Sequence, residues 1–392
     1  MLERPEHPRN AYAWMDAFRT VAAVLVAVSH VRDIIWRDAV PTNGLVTKVF
    51  YLLTGFGHIG VVVFFTLSGF WITRSVMKRI DQPRFWPNYL IDRVSRLWIV
   101  LIPVLIIGGT LDWAGAFYWA FPNYMADTGL HSISVPVANT LSVSEFFGSL
   151  FFLGTIVVPP LGSNGPLWSL AFEFWYYIWF PALVLLIRSR KLSFALVTLG
   201  LALILPNLAF GFLSWLTGSA LSFAVDRARP IPNFRWEKLV FAFSFLMLMA
   251  MLLVARVAQS IWFDPVLAAS FALFLFCLCR NDFAFPRLLR PLADFGSKSS
   301  FSLYALHFPL AMMLAGLLTG GIRQPPSLTL LGSTVLILAI LIVTAFVFSL
   351  LTEYRTDVVR GTLKRWFLGG PRPTAALPGT SQPSHENSQP WT

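Results

Sequence analysis

The chain has 392 residues, of which 56% are hydrophobic, 15% aromatic and only 12% charged, where a soluble domain carries about 25% charged residues. So little polar surface excludes a soluble globular protein and implies an all-α, polytopic membrane helix bundle. The net charge of +11 does not indicate nucleic-acid binding, because the Lys and Arg residues cluster between apolar runs, as cytoplasmic loops do.

Residues 1–14 are polar and hold Arg4 and Arg9; with no small-residue cleavage site after the first apolar run, they read as a cytoplasmic N-terminal segment. A bilayer core about 30 Å thick needs about 20 largely apolar helical residues. Runs near that length predict spans at 15–36, 58–77, 97–114, 165–187, 192–206, 208–224, 239–257, 262–279, 299–318 and 328–351. A further apolar segment, 146–158, is short, and loop charge decides its role. The loop 74–96, with Arg74, Lys78, Arg79, Arg84, Arg93 and Arg96, belongs on the cytoplasmic side, as does Arg188-Ser-Arg-Lys191. The stretch 115–145 holds no Lys or Arg and faces outward. Returning inside takes one crossing, by 165–187, so 146–158 is expected to be re-entrant or interfacial and to line a cavity.

About ten spans of a multi-pass cell (inner) membrane follow, with both termini cytoplasmic. Residues 15–352 form the transmembrane domain, and 353–392 a cytoplasmic tail, rich in Pro, Ser and Gly and disordered from about 367. Cys277 and Cys279 are too few for a metal site and too close for an unstrained disulfide, so they read as buried bystanders and no metal is expected. The internal repeats common in transporters are not visible.

Ionisable groups at membrane depth are functional candidates by default. His30, His58 and His307 lie in spans. Arg19 and His30 are eleven residues apart, about 1100° of helical turn, which leaves about 20° after three revolutions and about 16 Å of rise. They share one face, with Asp16 and Asp33 near the same stripe. The plain alternative is a snorkelling arginine and a core-bonded histidine. Glu173, about 12 Å into its span, reaches the depth of His30 and would orient the imidazole or else form a structural pair. Ser68, in Leu67-Ser68-Gly69-Phe70, lines the interior or serves close helix packing. Arg93 and Arg96, at i,i+3, suit phosphate or simply flank a span. His307, expected in the inner half of its span, lines a path to the centre or bonds a carbonyl freed by Pro309. Trp168 stacks on a sugar or anchors at the interface.

Together these pieces resemble the acyltransferase-3 family of integral membrane acyltransferases. The resemblance rests on Arg19 ahead of His30, Leu67-Ser68-Gly69-Phe70, Arg93-Val-Ser-Arg96, Trp168-Ser169-Leu170 ahead of Glu173, and Ser302-Leu-Tyr304 ahead of His307-Phe-Pro, in the family's order over roughly 11–350. The first span departs in lacking a glycine before Arg19, and the fourth in having Glu-Phe where many members have a glutamate pair or Glu-Gln. The resemblance implies transfer of an acyl group, usually acetyl, from cytoplasmic acyl-CoA to an extracytoplasmic or lipid-linked carbohydrate. It assigns the arginine–histidine pair to Arg19 and His30. In the scheme this suggests, Arg93 and Arg96 hold the donor phosphates, His30 is general base or transient acyl acceptor, Arg19 positions the donor and Glu173 orients His30. Asp16, Ser68, Trp168, Ser169, Tyr304 and His307 line the substrate path. Two rivals remain: a proton-coupled transporter or flippase for a polar or lipid-linked solute, and a non-catalytic partner of a polysaccharide synthase.

Overall fold

The computed structural model describes residues 9–369, except 41–43, 126–128, 131, 134, 191–199, 201–202, 204–205, 228–233, 259 and 282. Twelve α-helices of eight residues or more organise these residues. They are α1 (Arg9–Ile35), α2 (Leu45–Leu53), α3 (Gly57–Arg79), α4 (Phe85–Trp113), α5 (Val143–Leu150) and α6 (Trp168–Ser189). The second half continues with α7 (Pro206–Arg227), α8 (Phe234–Ala258), α9 (Asp264–Asn281), α10 (Arg290–Thr319), α11 (Leu328–Leu351) and α12 (Thr356–Leu368). Among the described residues nine helical segments are long and apolar enough to cross a membrane, and no strand forms. The expected span at 192–206 lies almost wholly outside the described residues. Its flanking helices run parallel, with Tyr176 of α6 donating to the Leu208 carbonyl of α7 at 2.8 Å and Phe180 packed on Trp215. The expected disorder from about 367 likewise falls mainly outside them; α12 occupies 356–368.

Several helices outrun their apolar stretches, because hydropathy marks only the part in hydrocarbon while the helix continues through the headgroup zone. The basic loop expected at 74–96 shrinks to five residues between Arg79 and Phe85, which puts Arg93 and Arg96 on α4 itself. By the same effect α10 begins at Arg290 rather than near 299.

Polar pairs show which helix ends lie together. Arg74–Asp226 (2.6 Å), Arg188–Asp81 (2.8 Å) and Arg280–Glu237 (3.4 Å) join the ends of α3, α6, α7, α8 and α9 on one side. On the other side His58 meets Asp264 at 2.9 Å, while Arg32 and Arg256 both donate to the Tyr51 carbonyl. The two guanidinium groups thereby satisfy carbonyls at the C-terminal end of α2 that have no partner within the helix.

The segment 146–158 does not cross. It is α5 followed by a turn held against protein: the indoles of Trp98 and Trp175 donate to the Leu150 and Phe152 carbonyls, both at 3.0 Å, and Phe152 stacks on Phe174. Such non-spanning backbone is tolerated at depth only when its polar groups are satisfied in this way.

α10 is the most buried span and α8 the least. Close approach at the centre depends on small residues. A Cβ at Gly69 would lie 2.0 Å from the Trp215 carbonyl oxygen, and one at Gly218 would lie 1.8 Å from that of Thr66, so α3 and α7 touch backbone to backbone. Gly218→Val should force them apart, at a cost of about 1–3 kcal/mol for overpacking. A lowered midpoint in a thermal unfolding series of the detergent-solubilised protein checks this; an unchanged midpoint contradicts it.

Candidate active site

The polar stripe of α1 faces α10. Thr20 Oγ1 donates to the Leu292 carbonyl at 2.7 Å, and a Cβ at Gly296 would lie 2.2 Å from the Asp16 carbonyl oxygen. This contact fixes the register of two parallel helices. Further along, His30 Nδ1 stands 2.8 Å from His307 Nε2, with the two rings nearly coplanar in orientation, 9° apart. α10 begins early, and His307 lies about 26 Å along it at 1.5 Å per residue, level with His30.

The tautomers follow from chemistry. His307 Nδ1 is 2.6 Å from the Tyr304 carbonyl oxygen, which only accepts, so Nδ1 carries the proton. In the neutral ring Nε2 is then an acceptor, and His30 Nδ1 must donate to it. Among the described residues this leaves the Nε2 lone pair of His30 uncommitted, and the ring is only partly buried while His307 is fully enclosed. The same bond persists when His30 takes up a proton, so the pair suits a base that charges and discharges. The carbonyl is that of Tyr304, three residues back, and not the one freed by Pro309.

Beside this pair Tyr304 Oη donates to the Pro166 carbonyl and accepts from Ser169 Oγ, each at 2.5 Å. Tyr304 and Ser169 are thus brought together next to His307, on α10 and the first turn of α6. Trp168 packs edge-on against Phe65 and Phe172 and borders a small, mostly apolar pocket shared with Leu101, Phe152 and Leu170. Ser68 accepts from the Trp215 indole at 3.2 Å, which ties it to the α3–α7 packing.

Glu173 accepts from Tyr177 Oη at 2.7 Å; the ring partner of His30 is His307. The carboxylate belongs with a second group at the Arg19 end. Arg19 pairs with Asp16 at 3.6 Å and lies within electrostatic reach of Arg96, Glu173 and Glu353. Arg93 sits over the rings of Tyr89 (5.6 Å) and Tyr177 (6.0 Å), and its Nε is buried without a hydrogen-bond partner among the described residues. Cation–π contact therefore holds this guanidinium in place of an acid, and its charge stays available to an anion. Asp33, at the far end of the stripe, is engaged by Arg32 at 2.5 Å.

Glu353 escaped the reading of the sequence. It follows the last apolar run, and its Oε1 accepts from Ser302 N (2.9 Å) and Oγ (2.6 Å). A carboxylate closing a long hydrophobic stretch was the available signal; its nearness to Arg19 was not. Among the described residues no cluster of His, Cys, Asp and Glu is arranged to hold a metal.

Residues 12–354 match the acyltransferase domain family. The chain belongs to that family. It is 27% identical over 172 residues to an O-acetyl transferase of Shigella phage Sf6, covering 44% of this chain and 45% of the relative. It is also 27% identical over 228 residues to a membrane-bound transacylase of Komagataeibacter xylinus, covering 57% of this chain and 49% of the relative. The chain thus spans about half the length of these curated relatives. No solved structure matches it. Within this acyltransferase-family membrane domain, the tautomer argument is directly testable. Nitrogen-15 spectra of histidine-labelled protein should show a protonated Nδ1 and a bare Nε2 for both His30 and His307, assigned by single substitutions. A protonated Nε2 on His307 would contradict it.

Proposed function

We propose that the chain is a membrane O-acyltransferase that moves an acyl group, acetyl in the simplest case, from cytoplasmic acyl-CoA to a hydroxyl of a cell-surface or lipid-linked carbohydrate. The observation that carries this reading is the His307-bound imidazole of His30, set on the same helical face as Arg19, whose guanidinium lies within electrostatic reach of Arg96 on α4.

The arginine end supports the donor. Arg93 and Arg96 offer charge on which CoA phosphates bind, and Arg19, between them and His30, positions the acyl thioester. This end is taken as the cytoplasmic one, a reading supported by Arg74, Arg79, Arg188 and Arg280 on the same side of the bundle and by the positive-inside rule. His30 Nε2 removes the acceptor hydroxyl proton as its oxygen attacks the thioester carbonyl. The C–S bond breaks, the thiolate leaves, and the imidazolium returns the proton to sulfur. His307 keeps Nδ1 of His30 protonated throughout. Tyr304 and Ser169 line the acceptor side, and Trp168 offers a stacking face for a sugar. The names of both relatives, O-acetyl transferase and transacylase, agree with acyl transfer.

The test uses protein purified in lipid nanodiscs with acetyl-CoA and glycan acceptors, read as free CoA released and acceptor mass gained. His30→Ala should abolish both while the protein stays folded. Full activity in that variant sinks the mechanism, and solute movement without acyl-CoA turnover favours transport instead. His307→Ala should lower turnover by about 100-fold or more, the usual contribution of an oriented base; an unaffected rate would remove His307 from the scheme.

A further inference from the structure

The family domain ends at residue 354, and α12 lies beyond it. This helix returns along the start of α4, where Lys364 Nζ meets Asp92 Oδ1 at 2.6 Å while Arg79 Nη1 meets Asp92 Oδ2 at 2.6 Å. Asp92 is 5% exposed and directly precedes Arg93, and its charge reaches that guanidinium. The same helix leaves Val358, Trp366 and Phe367 exposed, suited to rest at the bilayer interface.

We propose that α12 is a clamp that tunes the donor site: Lys364 neutralises Asp92, so that Arg93 and Arg96 present their full charge to the phosphates of acyl-CoA. Arg79 alone leaves the buried carboxylate with only one cationic partner. Without Lys364, Asp92 draws on Arg93, and a donor phosphate must compete with it. Lys364 is thus a positioning residue, acting through Asp92 on a group that touches donor. The inference rests on the donor reading above.

The experiment measures the Kd for CoA, and kcat and KM for acetyl-CoA, on the full chain in nanodiscs. Lys364→Met should weaken CoA binding and raise KM about tenfold, as losing one partner of a partly buried charge pair does, with kcat near wild type. Lys364→Arg should retain binding. Asp92→Asn combined with Lys364→Met should restore it, because the competing acid is gone; a helix serving only as a structural brace would leave the double variant no better than Lys364→Met. Wild-type affinity in Lys364→Met, or a double variant that stays weak, overturns the clamp and leaves the donor reading standing. A wild-type chain that binds no CoA overturns both.

Discussion

The approach of α1 to α10 governs the centre of this bundle. Gly296 admits the backbone of α1 at Asp16, Thr20 locks the register through Leu292, and only then do His30 and His307 come within 2.8 Å. The bond that results joins two neutral rings. A carboxylate in the place of His307 would orient an imidazole equally well, but burying it costs several kcal/mol before any compensation. An imidazole anchored on its own helix carbonyl performs the same orientation without a fixed charge in the membrane interior.

Charge is instead concentrated at one end. Arg19, Arg93 and Arg96 gather there with Asp16, Glu173 and Glu353, and Arg93 rests on two tyrosine rings while the neighbouring Asp92 is taken up by Arg79 and Lys364. A guanidinium stabilised by aromatic faces keeps its hydrogen-bonding edge free. The stripe of α1 connects this charged basin to the neutral imidazole pair, so the face of a single helix links two electrostatic environments.

Much of this was legible in the sequence, and the limits were physical. Helical periodicity placed Arg19 and His30 on one face, since both belong to one helix whose geometry is fixed. Loop charge identified 146–158 as non-spanning, and the two indole donors show how its backbone is satisfied. The meeting of His30 with His307 was not legible. It depends on where α10 starts, and a polar first turn is invisible to hydropathy. The same blindness placed Arg93 and Arg96 in a loop when they stand on α4. Counting residues into its span put Glu173 level with His30, yet such a count fixes neither depth nor azimuth, and its carboxylate meets Tyr177 at the arginine end. Glu353 and the Lys364–Asp92 pair join residues far apart in sequence, a relation no local pattern carries.

The bond between His30 and His307 spans 277 positions of chain. During synthesis the first of these rings enters the bilayer long before its partner leaves the ribosome, and it waits there with its donor unmet or bonded to a passing group. The central pair is complete only when α10 docks against α1, late in translation. So long a closure leaves the two-histidine centre unformed until late in synthesis, and a nascent chain arrested before that helix holds a membrane scaffold with no working interior.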